Sequence, residues 1–310
     1  MDIWFLLTPR YMALDFVGPA EALRMAIEEG APFRLHVAGP ARECVSSLGL
    51  VSCIDPLPEA LAEGSLVLLC GTVDEDEDYA TPEAQQLVAW LRQHITPQVQ
   101  LATVCSGALL AGMAGLLDGR SCTTHHSIVD KLAALAPAAR VLDNRIFVED
   151  GNIATSAGIT TGMDLALALI ERHAGADIAA RVARRLVLYM RRSGDDPQLS
   201  PWLAYRNHLH PAVHRAQDLI AREPAQRWPV EDLAGRVHLS PRHLTRLFRE
   251  QAGVGIVEYQ QRLRISLVRQ LLQQGVSVER AAEGAGFGSA RDMRRVWSKY
   301  LPGSPGRPGL

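Results

Sequence analysis

The stretch VEDLAGRVHLSPRHLTRLFRE, residues 230–250, recurs as VERAAEGAGFGSARDMRRVWSK, residues 278–299, once the second turn is allowed one extra residue. Val230 then matches Val278, Ala234 matches Ala282 and Leu239 matches Phe287. Beyond the turn, Ser240 matches Ser289, Arg242 matches Arg291, Leu244 matches Met293, Arg246 matches Arg295 and Phe248 matches Trp297. Each copy reads as a short helix with a small residue at its centre, a tight turn, a capping Ser and a second helix. The small Ala lets two helices cross closely, and the Ser oxygen accepts from the unpaired amides of the helix it starts. The two copies therefore read as a duplicated helix-turn-helix.

On the helix Pro241–Ala252, Leu244, Leu247 and Phe248 form an apolar stripe, while Arg242, Thr245, Arg246 and Arg249 fall opposite at i, i+3, i+4 and i+7. The helix Ala290–Tyr300 repeats the pattern, with Met293, Val296, Trp297 and Tyr300 inward and Arg291, Arg294, Arg295 and Ser298 outward. A helix that buries one face and offers guanidiniums on the other can lie in a major groove, where Arg reads guanine bidentately and its neighbours neutralise phosphates. Residues Gly255–Gln273 read as one long helix joining the units, so two recognition helices can reach successive major grooves about 34 Å apart. One Arg-rich helix alone would fit a solvated bundle face; two at matching positions of a repeated motif point to DNA.

The charge balance follows the same division. The chain has 310 residues, room for two domains, and a net charge of −2. That sum is a cancellation: residues 1–199 hold 15 Lys and Arg against 25 Asp and Glu, and residues 200–310 hold 17 against 9. A basic half suits a polyanion and an acidic half does not. Nearly all the cations are Arg, the exceptions being Lys131 and Lys299. No apolar run reaches the roughly 18 residues of a membrane span, and MDIWFLLTPR reads as a first strand rather than a signal peptide. The five cysteines, Cys44, Cys53, Cys70, Cys105 and Cys122, are odd in number, lack C-x-x-C and all fall in the acidic half, which fits reduced thiols in a cytoplasm. Of these, Cys44, Cys53, Cys70 and Cys122 read as core residues within apolar segments.

The acidic half alternates strands and helices. Ile3–Thr8, Phe33–Ala38, Ser65–Gly71, Gln100–Cys105, Arg145–Glu149 and Ile153–Ala157 read as strands, with a hairpin at Glu43–Cys53. Gly18–Glu29, Thr81–Ile95, Ser106–Gly115, Thr161–His173 and Ala176–Met190 read as helices, and Asp74–Asp78 as an acidic loop. This order implies an α/β domain, a mostly parallel, flavodoxin-like sheet flanked by helices, followed by an all-α domain from the helix Asn207–Arg222 onward. The expected division is residues 1–192, a linker at 193–205 and residues 206–310. In Leu101-Ala102-Thr103-Val104-Cys105-Ser106-Gly107-Ala108, a strand ends on one residue at a tight turn and small residues open the next helix, the pattern of a nucleophile elbow. The helix start behind Cys105 is expected to lower its pKa and favour the thiolate. Asp15-Phe16-Val17-Gly18-Pro19-Ala20-Glu21 brings two carboxylates to the mouth of the first strand–helix unit, and Thr123-Thr124-His125-His126 follows the cysteine.

Residues 206–305 resemble the AraC/XylS family of transcription regulators, through LSPRHLTRLFREQAGVG, the Tyr259…Arg262-Leu263-Arg264 stretch and the GFGS turn with MRRVW. The resemblance implies DNA contacts from Arg242, His243, Thr245 and Arg246 in the first unit and from Ser289, Arg291 and Arg294 in the second; the charged faces add Arg249 and Arg295. The family usually closes with G-x-S/T-P-x-x-Y-R, whereas this chain ends Gly303-Ser304-Pro305-Gly306-Arg307-Pro308-Gly309-Leu310. A final supporting helix is accordingly not expected.

Residues 1–175 resemble the class I glutamine-amidotransferase-like superfamily, in the GlxA-like branch fused to AraC-type domains. The motifs are Asp15…Gly18-Pro19…Glu21, Val104-Cys105-Ser106-Gly107-Ala108, Ala114-Gly115-Leu116-Leu117-Asp118-Gly119-Arg120, Thr123-Thr124-His125 and Thr155-Ser156-Ala157-Gly158…Gly162…Asp164. The resemblance implies an effector-binding, dimerising domain with a pocket at the carboxyl ends of the strands, lined by Asp15, Glu21, Gly71, Cys105, Ser106, His125 and Thr160. Protease-like members place His directly after the cysteine, where this chain has Ser106. Isonitrile hydratase-like members use a Cys with the Asp of D-x-x-G-P, and here Cys105 and Asp15 are both present. Branch members commonly have Trp where this chain has His126. If there is catalysis, Cys105, Asp15, Glu21 and His125 are its candidates; a third reading is oxidation of an accessible, low-pKa Cys105.

The expectation is a cytoplasmic homodimeric regulator, with a double-stranded DNA operator and a small-molecule effector as partners and RNA polymerase as a further candidate. The alternative is a Cys-dependent hydrolase or hydratase carrying a DNA-binding domain. His208-x-His210-x-x-x-His214 has metal-like spacing but no Cys nearby to complete a zinc site, so neither metal nor cofactor is assigned.

Overall fold

The computed structural model describes residues 1–188, 192–194, 198, 205–206, 208–301 and 303–305. Two compact units divide between Gln198 and Leu199. The elements of the first are β1 (Asp2–Leu6), α1 (Ala13–Glu28), β2 (Arg34–Gly39), β3 (Glu43–Val45), β4 (Val51–Cys53), β5 (Asp55–Pro56), β6 (Leu66–Leu69), α2 (Glu75–Asp78), α3 (Pro82–His94), β7 (Gln100–Val104), α4 (Gly107–Met113), β8 (Ser121–Cys122), α5 (Val129–Leu135), β9 (Arg140–Val141), β10 (Phe147–Asp150), β11 (Ile153–Ser156), α6 (Thr161–Ala174) and α7 (Ala176–Arg185). The seven-stranded sheet runs β10-β11-β7-β6-β1-β2-β5. Its pairs are parallel except β10 with β11.

Period-two alternation sorts the strand side chains to two cores. Ile3, Phe5, Leu66, Leu68, Ala102 and Val104 face α1, α6 and α7, where Leu23, Leu165 and Val182 are buried. Leu6, Val67, Leu69 and Leu101 face the other way, against Leu87 and Leu91 of α3, Leu109 of α4 and Leu132 of α5. The LVLL run of β6 is buried throughout because helices cover both faces. The sheet winds from β1 to β2 on one side and returns to β6 on the other, so its switch point opens between the carboxyl ends of β1 and β6.

Several local expectations need correction. Helix α1 starts at Ala13 rather than Gly18, which puts Asp15 in its first turn; Pro19 stands inside it, two turns in, where it has no amide to return to the Asp15 carbonyl. The acidic loop is a one-turn helix, capped by the Asp74 carboxylate, which accepts from the Asp76 and Glu77 amides. Cys53, expected in the core, is exposed at the end of the hairpin, whereas Cys44, Cys70 and Cys122 are buried. The short strands β5, β8 and β9 and the helix α5 have too few patterned residues to announce themselves in the sequence.

The second unit contains α8 (Pro211–Arg222), α9 (Val230–Arg236), α10 (Pro241–Ala252), α11 (Ile256–Gln273), α12 (Val278–Gly284) and α13 (Ala290–Tyr300). Helices α8–α10 and the first half of α11 enclose one core around Phe248, Tyr259 and Leu263. The second half of α11, α12 and α13 enclose another around Val268, Met293 and Trp297. Asn207, the expected start of α8, and Met190, the expected end of α7, lie outside the described residues, as does Gly306–Leu310 of the terminal stretch.

Candidate functional sites

Four segments meet at the carboxyl ends of β1, β6, β7 and β11. Cys105, directly after β7, has a left-handed φ of 56°, the strained backbone expected of an elbow. Gly158, also left-handed, packs so closely that a Cβ there would lie 2.2 Å from the Cβ of Cys105. Gly71 is similarly confined: its Cβ would lie 2.7 Å from Asp15 Oδ2 and 2.9 Å from Cys105 Cβ. Asp15 is fully buried. Its Oδ1 accepts from the Ile159 amide at 2.7 Å and its Oδ2 from the Gly71 amide at 3.2 Å. Ile159 was invisible as a site residue in the sequence, since it contributes backbone; its own φ of 55° aims that amide.

Burial pushes the Asp15 pKa up to about 6, while the Ile159 and Gly71 amides and the Cys105 thiol hold it from rising further. Burial, with the Asp15 charge beside it, pushes the Cys105 thiol far above its ordinary value. The expected helix-favoured thiolate is therefore reversed. Helix α4 has only seven residues, and the Ser106 amide's help is outweighed by desolvation and a neighbouring carboxylate.

Ser106 serves the frame: its Oγ accepts from the Thr72 amide at 2.9 Å and from the Tyr79 hydroxyl at 3.2 Å. Thr124 Oγ1 donates to the Cys105 carbonyl at 2.9 Å. Two of the expected pocket residues point elsewhere. Glu21 is half-exposed and pairs with Arg24 at 2.8 Å, one turn along its own helix. The His125 Nδ1 meets Ser127 Oγ at 2.7 Å and its ring lies tilted against that of His126, centroids 4.3 Å apart; burial, then His126, lowers its pKa. Thr160 Oγ1 accepts from Arg192 at 2.9 Å, whose guanidinium also pairs with the buried Asp164 at 2.6 Å. The structure thus gathers Asp15, Gly71, Cys105 and Ser106, and sets Glu21 outside.

In the second unit, Ser240 and Ser289 cap their helices as expected, accepting from the amides of His243 at 3.3 Å and Asp292 at 3.1 Å. Ser289 Oγ also bonds the Asp292 carboxylate, so its hydroxyl is engaged in the cap. Leu244, Leu247, Phe248, Met293, Val296 and Trp297 are buried. Arg242, His243, Thr245, Arg246, Arg249, Arg291, Arg294 and Arg295 are exposed along α10 and α13. Arg246 pairs with Glu250 at 3.2 Å and Thr245 bonds the Pro241 carbonyl, both within α10, while Arg294 pairs across to Glu279 of α12 at 3.9 Å. The two turns share one backbone device, His238 at φ 58° in the first and Gly286 at φ 79° in the second.

The three histidines do not share a helix face, because α8 begins only at Pro211. His208 Nε2 bonds Gln217, His214 Nε2 bonds the His208 carbonyl, and His210 is the N-terminal flanking residue. Among the described residues, no three His, Cys, Asp or Glu side chains converge as a metal site would need.

Comparison with known proteins agrees with both units. Residues 1–172 match the DJ-1/PfpI family and residues 233–307 a helix-turn-helix domain. The HTH-type transcriptional regulator GlxA of Rhizobium meliloti is 30% identical over 98% of this chain and 94% of its own length. An isonitrile hydratase of Pseudomonas putida is 32% identical over 60% of this chain and 78% of its own. A crystal structure titled as an AraC family transcriptional regulator from Pseudomonas putida overlays 60% of this chain and 98% of its own with a TM-score of 0.52 at 24% identity, a likeness of fold.

Proposed function

The chain belongs to the DJ-1/PfpI family and joins that domain to a helix-turn-helix domain, and from this premise we propose a transcription regulator that senses a small metabolite without turning it over. The DNA-binding half follows from the two exposed arginine faces on capped, packed helices. Guanidiniums in this display neutralise phosphates and read base edges. The observation that carries sensing over catalysis is the burial of the Cys105 thiol against the Asp15 carboxylate, both of which disfavour its thiolate. A thiol attacks as its thiolate. His125, the nearest candidate base in the sequence, bonds Ser127 instead.

A route from pocket to DNA is available in the segment that leaves the first unit. Arg192 holds Thr160 and Asp164, next to the Ile159 amide that serves Asp15. The Gly194 carbonyl accepts from the Ile146 amide. Gln198 donates to the Thr124 carbonyl and accepts from the His126 amide, both at 2.8 Å. A ligand that shifts residues 124–126 or 158–164 therefore changes the hold on the expected linker, and favours one presentation of the DNA domains by binding it better.

Homodimerisation is supported by an apolar surface: Leu14 and Val17 of α1 are exposed near the hairpin, whose Leu48, Leu50 and Val51 are also exposed. The turn is fastened to the helix start by the Ser47 amide on the Tyr11 carbonyl at 2.8 Å and the Ala13 amide on Ser47 Oγ at 3.0 Å. Patches of this kind mark association sites. The reading puts the protein in the cytoplasm with its DNA.

The enzyme reading keeps one specific support, the direct apposition of Asp15 and Cys105. The test uses the full chain and a duplex recovered by selection from a random-sequence library. Cys105→Ala should bind that duplex within about 3-fold of wild type, and the wild type should not hydrate an alkyl isonitrile. Turnover that Cys105→Ala abolishes would establish the enzyme instead.

A further inference from the structure

The two helix-turn-helix units have separate cores joined through one helix, so contacts made from that helix to both units bear on the angle between their recognition helices. Helix α11 passes through both cores, and two of its arginines lie on opposite sides. Residues two apart on a helix are rotated by about 200°, so Arg262 and Arg264 point away from each other while Leu263 between them enters the first core.

Arg264 reaches the loop that leads into the first helix-turn-helix unit. Its Nε donates to the Pro224 carbonyl at 2.8 Å, and its Nη2 to the carbonyls of Ala225 at 3.0 Å and Gln226 at 2.9 Å. Gln260, one turn earlier, adds bonds to the Pro224 and Gln226 carbonyls. The same loop touches the turn of the second unit: a Cβ on Gly286 would lie 2.0 Å from the Ala225 carbonyl oxygen. Phe287, the next residue, lies under the Arg264 guanidinium at 5.9 Å. On the opposite side, the Arg262 guanidinium lies 5.5 Å from the ring of Tyr205, ahead of α8, and 4.3 Å from the ring of Tyr300, at the end of α13. Each arginine therefore touches both helix-turn-helix units.

We propose that Arg262 and Arg264 are positioning residues that lock the two recognition helices at one separation, and so make the protein selective for the spacing between the two half-sites of its operator. Neither belongs to the base-reading faces of α10 and α13. Both act through the joint. Two linked readers gain from simultaneous engagement only where geometry permits it, and a single base pair of added spacing moves one half-site by about 3.4 Å along the duplex and turns it around the axis.

This inference rests on DNA binding by both units, and the test separates the two. Full-length protein is titrated against the selected duplex and against versions with one base pair inserted or deleted between the half-sites. For wild type, affinity should fall by about 30-fold or more on changing the spacing. For Arg264→Ala, the difference between spacings should shrink to about 5-fold or less, while single half-site duplexes are bound as by wild type. Arg262→Ala should shrink it in the same direction. Equal weakening at every spacing, or undiminished discrimination in a folded Arg264→Ala protein, would overturn the proposal. If both variants fail to fold by circular dichroism, the arginines are supports of the domain itself and the proposal falls. Failure of the wild type to bind any selected duplex would instead remove the DNA reading.

Discussion

At the carboxyl end of the sheet the chemical groups face inward and are paired; along the recognition helices they face water and wait. Asp15, Gly71, Cys105 and Ile159 lie so close that two glycines are required for the backbone to fit, and burial with the Asp15 charge disfavours the thiolate of Cys105. Arg242, Arg249 and Arg291 are exposed and make no ion pair among the described residues. The difference matches what the proposed function asks of each region. A small molecule is recognised by a shaped, desolvated pocket with few polar groups, whereas a duplex is met by exposed cations whose counterions are released on contact.

The largest way to break this contrast is at the crowded end. Gly158→Ala puts a methyl group against Cys105 in a left-handed backbone, and should destabilise the first unit by about 4 kcal/mol, read as a lower denaturation midpoint. A variant with wild-type stability would show the site to be looser than described. On the open side, Arg242→Ala with Arg246→Ala should weaken binding to the selected duplex by about 3 kcal/mol, with little change in melting temperature. Full affinity would remove α10 as a reader.

A smaller effect sharpens the inward side. Since burial raises Asp15 from 3.8 to about 6, the unfolded chain ionises first as pH climbs. Stability fully present below about pH 4 is therefore lost as pH rises through 6. Asp15→Asn lacks this titration, though it leaves one of the two backbone amides poorly served. Its stability relative to wild type should improve between pH 4 and pH 7, by about 2 kcal/mol. A pH-independent difference would contradict the raised pKa. Smallest of all, Glu21→Gln should change stability by less than about 0.5 kcal/mol, because it removes only an exposed pair with Arg24.

The same contrast explains what could be read from the sequence. The recognition helices were legible to the residue, because amphipathic periodicity and Ser caps are local, and the duplication repeats them. The parallel sheet was legible from alternation of strands and helices. The centre of the site was legible through its motifs in Asp15, Cys105 and the Gly158 segment, but its electrostatics were not. A strand-turn-helix pattern suggests an activated thiol; only the fold shows that Asp15 is buried against it. Ile159 and Tyr79 escaped notice because one acts through backbone and the other arrives from a separate loop to meet Ser106. Glu21 misled because it stands in the motif while its helix turns it outward.

The central claim is that the chemistry at the sheet end is masked, and thiol labelling tests it within one molecule. Full-length protein is exposed to iodoacetamide over pH 6 to about 9, and modification of each cysteine is followed by peptide mass. Cys53 is exposed and serves as the internal reference, whereas Cys105 is buried. The account predicts that Cys53 labels readily while Cys105 labels at least about 100-fold more slowly, with no plateau in that range. Rapid labelling of Cys105 with a plateau below pH 7 would mean a stable thiolate, and would contradict the sensor in favour of a nucleophile.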